Sequence, residues 1–424
     1  MTIQSIRGMN DIASPEIQVW QFIESRIRSV YSRFGYSEIR TPIVELTALF
    51  KRGVGSDTDI VEKEMYSFED RSGDHISLRP EGTAAVVRAV IEHNWLRDNP
   101  VSKFYYIGPM FRHERPQKGR YRQFYQYGLE YFGVPTPWAD VEVIECQNML
   151  YDELNLKSKS LRLSSVGCAE CRGPYKQKLI ALLESKIDQV PEDFKPRVHT
   201  NPQRIFDHKS ESAQKLSSDL PFLLDSLCAN CKEHFEGVKK GLSLLNIPFE
   251  VDPRIVRGLD YYNRTAFEFT SADLGAQSAI GGGGRYDNLV AQLGGKETPA
   301  VGFAGGMERL VLLLGDISVS EGIDAFVAFA DPVGQEPSYL LAQKLRMGGA
   351  IVETEHDSRS IKSQFKRADK LKSKFVIVIG AREVENKTVT LKNMSTQEQT
   401  EVSSAGAIEK ILSDKKARRA GLQI

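Results

Sequence analysis

The sequence turns on one stretch, FRHERPQKGRYRQFYQYGLE, Phe111 to Glu130. It sets Arg112, Arg115, Lys118, Arg120 and Arg122 among aromatics and two glutamates, Glu114 and Glu130. The flanking runs KFYYIGPMFRHE and RQFYQYGLEYFG read as two strands joined by a short Pro/Lys/Gly loop. Side chains alternate faces along a strand, so Arg112 and Glu114 share one face, and Phe124, Gln126, Gly128 and Glu130 share another. A loop centred near Lys118 brings both even-numbered sets to the same side of an antiparallel hairpin. Such a face is costly to bury unless a ligand completes its hydrogen bonds. Arginine suits a bidentate grip on carboxylate or phosphate and stays charged at any working pH. The basic loop taken alone reads equally well as a solvated turn.

Around this stretch the chain is ordinary and formally neutral. Its 424 residues include 56 Lys+Arg and 56 Asp+Glu, and 41% are hydrophobic, which suits two to four globular domains. A pI near 7.1 excludes a uniformly basic nucleic-acid binder, so any such contact must use local patches. The start MTIQSIRGMNDIASPE has no apolar leader core, and no run of 18 apolar residues occurs. A cytoplasmic protein without a membrane or DNA partner is expected. Five cysteines in a reducing compartment argue against a disulfide framework.

Ser14-Pro15 reads as an N-cap and first helical residue, followed by Val19, Ile23, Ile27 and Val30 at helical spacing and a stop at Gly35. YSEIRTPIVEL follows as a strand with Pro42 at an edge or bulge. GTAAVVRAVIEHNWL reads as a helix. The texture turns helical and charge-rich from Leu156 to Glu250, and strand patterning resumes at YYNRTAFEFTS, so residues 156–250 look like an insertion splitting one domain into 1–155 and 251–322. Residues 323–424 form a separate α/β domain with a mixed sheet, with Gly348 and Gly349 as C-caps and DKKARRAGLQI as a frayed tail.

IGGGGRYDNLV matches neither a phosphate loop nor a dinucleotide fingerprint; its glycines suit a flexible turn or close backbone approach to a ligand. In VGFAGGMERL, Arg309 falls one turn inside a helix. Cys168-x-x-Cys171 and Cys228-x-x-Cys231 have the spacing of zinc knuckles, although 56 residues separate them. Reduced buried thiols or a redox pair are the alternatives, and His234 allows a Cys3His set. Cys146, on an apolar helical run, reads as core.

Taken together, GYSEIRTPIVE, FRHERPQKGRYRQFYQYGLE and AVGFAGGMERLVLL resemble, in order, the three signatures of class II aminoacyl-tRNA synthetases. RGLDYYNRTAFE and GGGGRYDNLV resemble the pair specific to histidyl-tRNA synthetases, and RGMND and LRPEGTA add to the likeness, which covers nearly the whole chain. The resemblance implies an α/β (α+β) fold: a catalytic domain on a mixed, mainly antiparallel sheet, a helical insertion and a C-terminal anticodon-binding domain. It implies ATP-dependent activation of L-histidine with Mg2+ on the phosphates, then transfer to tRNA(His), by a homodimer.

Residue by residue, the resemblance gives Arg112, Arg257 and Arg309 to catalysis. It gives Arg112, Glu114, Arg120, Phe124 and Arg309 to ATP. Glu81, Thr83 and Gln126 would surround the histidine ammonium, while Glu130 and Tyr262 would reach the ring nitrogens. Gly82, Tyr261 and Tyr286 would shape the walls, with Arg112 and Arg257 also near the amino acid. Arg115, Gln117 and Lys118 would meet the tRNA end. Two rivals share the resemblance: a non-catalytic regulatory subunit of histidine biosynthesis and an uncharged-tRNA sensor. The first predicts degraded signature arginines, and the second normally accompanies a kinase.

Overall fold

The computed structural model describes residues 2–55, 58–208, 210–255, 258–315, 322–357 and 359–421. The chain divides into two units, Met1–Ile317 and Ser318–Ile424.

The first unit is built on eight strands, β1 Ser37–Glu38, β5 Ser102–Phe111, β6 Gln123–Phe132, β7 Lys159–Ser165, β8 Glu250–Val251, β9 Asn263–Ser271, β10 Ala279–Arg285 and β11 Ala300–Gly306. Three more, β2 Val44–Leu46, β3 Ser67–Glu69 and β4 His75–Leu78, form a small sheet of their own. The large sheet runs β1-β5-β6-β11-β10-β9-β7-β8, antiparallel throughout except at its two edges. This is the mixed, mainly antiparallel sheet expected.

The hairpin pairs Phe111 with Gln123 and Met110 with Phe124, which centres its loop on Gln117. Its parity is the expected one, so even-numbered residues of both strands share a face. Glycine positions pack the neighbouring layers. A Cβ at Gly128 would sit 2.5 Å from the Tyr106 ring, and one at Gly283 would sit 2.2 Å from the Gly302 carbonyl oxygen. The glycine run is thus a central strand stripped of side chains rather than a flexible turn.

Helix Glu16–Arg33 buries Val19, Ile23, Ile27 and Val30 of the stripe read from the sequence, together with Trp20 and Tyr31. Its start differs: Pro15 occupies the cap position, no side chain caps it, and the Ile17 N–H donates to the Ala13 carbonyl instead. The expected strand through Pro42 is broken in two. Arg79 Nη1 takes the carbonyl oxygens of Thr41 and Pro42, which removes them from any ladder, while its Nε donates to Pro109 O at 2.9 Å.

β7 lies in the main sheet beside β9, so the helical excursion leaves after Ser165 and returns at β8, later than the 156 boundary read from composition. The excursion has its own core, including Tyr175, Leu179, Leu183, Phe194 and Cys231 on helices Ala169–Ser185 and Ala229–Leu244 and the segments between them.

The second unit has β12 Ala325–Phe329, β13 Val352–Thr354, β14 Phe375–Ile379, β15 Thr388–Asn393 and β16 Gln399–Ser403, in the order β13-β12-β14-β15-β16. Helix Gln335–Met347 ends at Gly348, and Gly349 adopts φ +86°, where a left-handed residue closes the last turn. As far as Gly421 the terminal segment is helical rather than a frayed tail. Helix Ser404–Gly421 buries Ala407 and Ile411, and its Lys415 Nζ lies 2.8 Å from Asp324 Oδ2. Among the described residues no helix is long and apolar enough to cross a membrane.

Candidate active site

A cavity of about 580 Å3 opens over the large sheet, in the unit Met1–Ile317. The hairpin supplies Arg112, Glu114, Arg120, Phe124 and Gln126 to its lining; β10 and β11 supply glycines, and Arg309 enters from the first turn of helix Met307–Leu314. The even-numbered face read from the sequence therefore lines a real recess.

One end is cationic. Arg112 Nε donates to Pro80 O at 2.9 Å, and its guanidinium lies 5.3 Å from the Phe124 ring centre. Arg120 Nη1 reaches Glu114 Oε2 at 3.2 Å, and Arg309 Nη1 donates to Ala279 O. Burial, and then repulsion from Arg120, lower the Arg309 pKa, with Glu268 and Glu114 pulling the other way. Clustered cations that depress one another are stabilised by a bound polyanion.

The other end is built for a small polar molecule. Glu81, Thr83, Gln126, Tyr261 and Tyr262 line it. The Glu81 carboxylate accepts the N–H groups of Thr83 at 2.7 Å and Ala84 at 2.9 Å, capping helix Thr83–Glu92; burial raises its pKa. Gln126 Oε1 is buried and has no hydrogen-bond partner among the described residues. An orphaned acceptor on a cavity wall is a ready place for a ligand's N–H.

Glu130 and Tyr286 stand one layer behind the lining. Thr83 Oγ1 donates to Glu130 Oε1 at 2.7 Å, and the Tyr286 hydroxyl donates to Oε2. Burial pushes the Glu130 carboxyl up to about 8, against the pull of these two hydroxyls and with Glu81 adding to the rise. Gly82 leaves room for Tyr106, whose ring would lie 2.4 Å from a Cβ there. Arg115, Gln117 and Lys118 are exposed on the loop and do not line the cavity. Arg257 lies outside the described residues.

Among the lining residues that the sequence reading did not single out are Tyr121, Glu268 and Glu308. Glu268 pairs with Gly282 across β9–β10, and a lone carboxylate between Phe267 and Phe269 was its signal. Glu308 accepts the Tyr125 N–H at 2.8 Å, and burial raises it to about 7.

Away from this cavity, the sulfurs of Cys168, Cys171, Cys228 and Cys231 all lie within 4.8 Å of one another. Cys168 and Cys228 each cap a helix, so the two knuckles face each other across helix starts. The Cys168 sulfur is 3.7 Å from that of Cys171 and 3.8 Å from that of Cys228. A tetrahedron of thiolates ~2.3 Å from zinc has edges of about 3.8 Å, so the set fits that ion. His234 is not part of it: its Nε2 lies 3.3 Å from Asp140 Oδ2, which rules out the Cys3His alternative. Asp140 is itself bound by the fully buried Arg285, which also donates to Val134 O and Thr136 O at 3.0 Å each.

Comparison with known proteins gives this geometry a context. Residues 8–310 match the family model for histidyl-tRNA synthetase, and residues 332–414 match that for an anticodon binding domain. A histidine–tRNA ligase of Desulfatibacillum aliphaticivorans is 46% identical over 413 residues, covering 96% of this chain and 98% of the relative. That of Geobacter sulfurreducens is 46% identical over 400 residues, covering 94% and 97%. The crystal structure of apo S. aureus histidyl-tRNA synthetase superposes with a TM-score of 0.82 at 36% identity, covering 97% of this chain and all of that one.

Proposed function

Since the chain belongs to the histidyl-tRNA synthetase family, we propose that its large cavity is where histidine and ATP meet and where tRNA(His) is charged. The overall activity is that of a histidine–tRNA ligase: histidine is activated by ATP and transferred to the 3′ end of tRNA(His).

The observation that carries the site reading is one recess lined both by three arginines, Arg112, Arg120 and Arg309, and by the acceptors Glu81 and Gln126. In the first step a histidine carboxylate oxygen attacks the α-phosphorus of ATP, and pyrophosphate leaves. Two anions must approach, so cation placement supplies most of the rate. Arg112 bridges the carboxylate and the α-phosphate, Arg309 and Arg120 hold the outer phosphates, and Phe124 and Glu114 receive the adenine. The expected Arg257 would approach the α-phosphate from the opposite side. The Glu268 carboxylate near Arg309 would help hold an ATP-borne Mg2+, which would supply positive charge to the phosphates.

Glu81, Thr83 and Gln126 receive the α-ammonium, Tyr262 faces the imidazole, and Glu130, one layer behind, accepts from the ring once Thr83 or Tyr286 turns its hydroxyl aside. A site whose polar groups match both ring nitrogens rejects apolar analogues, which would leave those groups unpaired. In the second step the terminal ribose hydroxyl attacks the adenylate carbonyl and AMP leaves; Arg115, Gln117 and Lys118 guide the RNA end. The basic helix Ile361–Lys370 of the second unit is a candidate for reading the anticodon.

Further assignments belong to the same proposal. The four cysteines hold a structural zinc, supported by their spacing. The chain works as a homodimer, supported by exposed Val44, Leu46 and Phe68 on the small sheet. Five unpaired thiols suit a cytoplasmic protein. Pyrophosphate exchange with each amino acid in turn tests the reading: exchange should depend on histidine, and its absence from folded protein would overturn the assignment.

A further inference from the structure

Tyr261 and Tyr262 line the histidine end of the large cavity, and Tyr286 stands behind it against Glu130. Tyr261 packs on both of the others, with its ring centre 4.7 Å from that of Tyr262 and 5.6 Å from that of Tyr286. The residues that follow two of these tyrosines in the chain, Asn263 after Tyr262 and Asp287 after Tyr286, do not line that cavity. They bind each other instead. Asn263 Nδ2 donates to Asp287 Oδ2 at 3.1 Å, and the Asp287 N–H donates to Asn263 Oδ1 at 3.1 Å.

Both halves of this clip are fixed from outside. Asp287 Oδ1 accepts from Arg285 Nη1 at 3.0 Å and from the Ala300 N–H at 3.2 Å, while the Tyr286 N–H donates to Ala300 O at 2.8 Å. On β9 the pairing slips: Gly284 faces Ala266, but the next residue, Arg285, faces Asn263. Arg264 and Thr265 are looped out of that pairing, and Arg264 adopts φ +53°, a left-handed conformation that is costly for a residue with a Cβ. Its N–H donates to Gly167 O and its carbonyl accepts the Val166 N–H, so the bulge is held on both sides. A strained bulge persists only where its surroundings over-determine it, and beside a pocket it re-aims a side chain. Here it brings Asn263 level with Arg285 and leaves Tyr262 just ahead of the strand. Tyr261 and Tyr262 are thus held between the clip and the Asp260 N–H, which donates to Val54 O at 3.2 Å.

Resting on the histidine reading of this end, we propose that Asn263 and Asp287 are positioning residues that hold Tyr262 and Tyr286 at the separation the imidazole requires, and so set the affinity for histidine. The pair needs one amide and one carboxylate, and either residue can supply either group. Asn263→Asp alone sets two carboxylates face to face, and Asp287→Asn alone sets two amide NH2 groups face to face. Both changes together restore a donor against an acceptor, keep a single negative charge, and leave Oδ1 of residue 287 to accept from Arg285 and Ala300. Arg112, Arg120 and Arg309 stand on other elements, the hairpin and helix Met307–Leu314, so ATP binding does not depend on the clip.

The test uses full-length wild type, the two single variants and the double exchange. Equilibrium dialysis of labelled histidine, the KM for ATP in pyrophosphate exchange and urea unfolding are read on each. Each single variant should bind histidine about tenfold more weakly with the KM for ATP unchanged, and the double exchange should return to within about threefold of wild type. A merely structural pair would lower stability and leave the histidine Kd of the folded protein where it was. If a single exchange prevents folding, Asn263→Ala, which opens the pair without setting like groups together, should show the same loss of affinity. An unchanged histidine Kd in the folded variants would overturn the inference. So would a rise in the KM for ATP as large as the rise in the histidine Kd, or a double exchange that binds no better than the single variants. Any of these in an enzyme whose wild type exchanges pyrophosphate with histidine would leave the site reading standing; wild type without histidine-dependent exchange would overturn both.

Discussion

Glu130→Gln separates the charge of the buried carboxyl from its shape. Burial pushes the Glu130 carboxyl up to about 8, against an ordinary value of 4.5, by disfavouring its charged form. If the carboxylate is what accepts an imidazole N–H, histidine must bind the ionised form. That form rises from about one-tenth at pH 7.0 to about three-quarters at pH 8.5, so the histidine Kd should fall about eightfold over that interval. Free imidazole is already mostly neutral there and contributes little. Stability must move the other way. The folded pKa lies above the unfolded one, so the contribution is fully present below 4.5 and is lost as pH rises through about 8. Between pH 7.0 and 8.5 the ligand-free protein should lose about 1 kcal/mol from this group alone. The substituted amide would keep an acceptor for Thr83 or Tyr286 but cannot ionise, so both slopes should flatten and histidine should bind more weakly throughout. Equilibrium dialysis of labelled histidine and urea unfolding at four pH values read both quantities. A wild-type Kd that stays level from pH 7.0 to 8.5, or an equal stability slope in Glu130→Gln, would refute the reasoning.

Other substitutions test separate parts of the structure. Arg112→Ala should slow histidine-dependent pyrophosphate exchange by ~100-fold or more, whereas Arg115→Ala should leave exchange intact and slow transfer to tRNA. Equal effects of the two on exchange would contradict the division of the loop. Arg285→Met leaves Asp140 and two carbonyls short of donors inside the protein and should destabilise it by about 3–5 kcal/mol in urea unfolding, with Arg285→Met/Asp140→Leu less affected than the single change. A single-variant loss below about 1 kcal/mol would count against that network. Gly82→Ala drives a methyl into the Tyr106 ring and should cost about 1–3 kcal/mol while raising the KM for histidine; wild-type stability would show that the ring can step aside.

Much of the site was legible because strand alternation fixes faces before any contact is known. One parity argument put Arg112, Glu114, Phe124 and Gln126 on a common side, and they line one cavity. Cysteine spacing likewise brought four sulfurs together, although only the folded chain shows His234 turning to Asp140. What escaped depended on long-range partners. Lys159–Ser165 looks polar and short, and becomes β7 only because β9 is there to pair with it. The C-terminal segment has a basic composition that hid an anchor: Lys415 and Arg418 both bind Asp324, about ninety positions away in the chain. Arg285 gave no signal beyond Asp287 two positions on, because its other partners Asp140, Val134 and Thr136 are distant in sequence.

The central hairpin has a consequence for how such an enzyme can change. β6 is held on both edges, by β5 through Phe111–Gln123 and by β11 through Gly306–Gln126. Its register does not depend on the loop that joins it to β5. Residues 115 to 119 can therefore be lengthened, shortened or recharged while Gln126 and Glu130 keep their orientation. Under the proposed assignment, the part that would touch RNA is free to drift with its tRNA, and the part that would choose the amino acid is not.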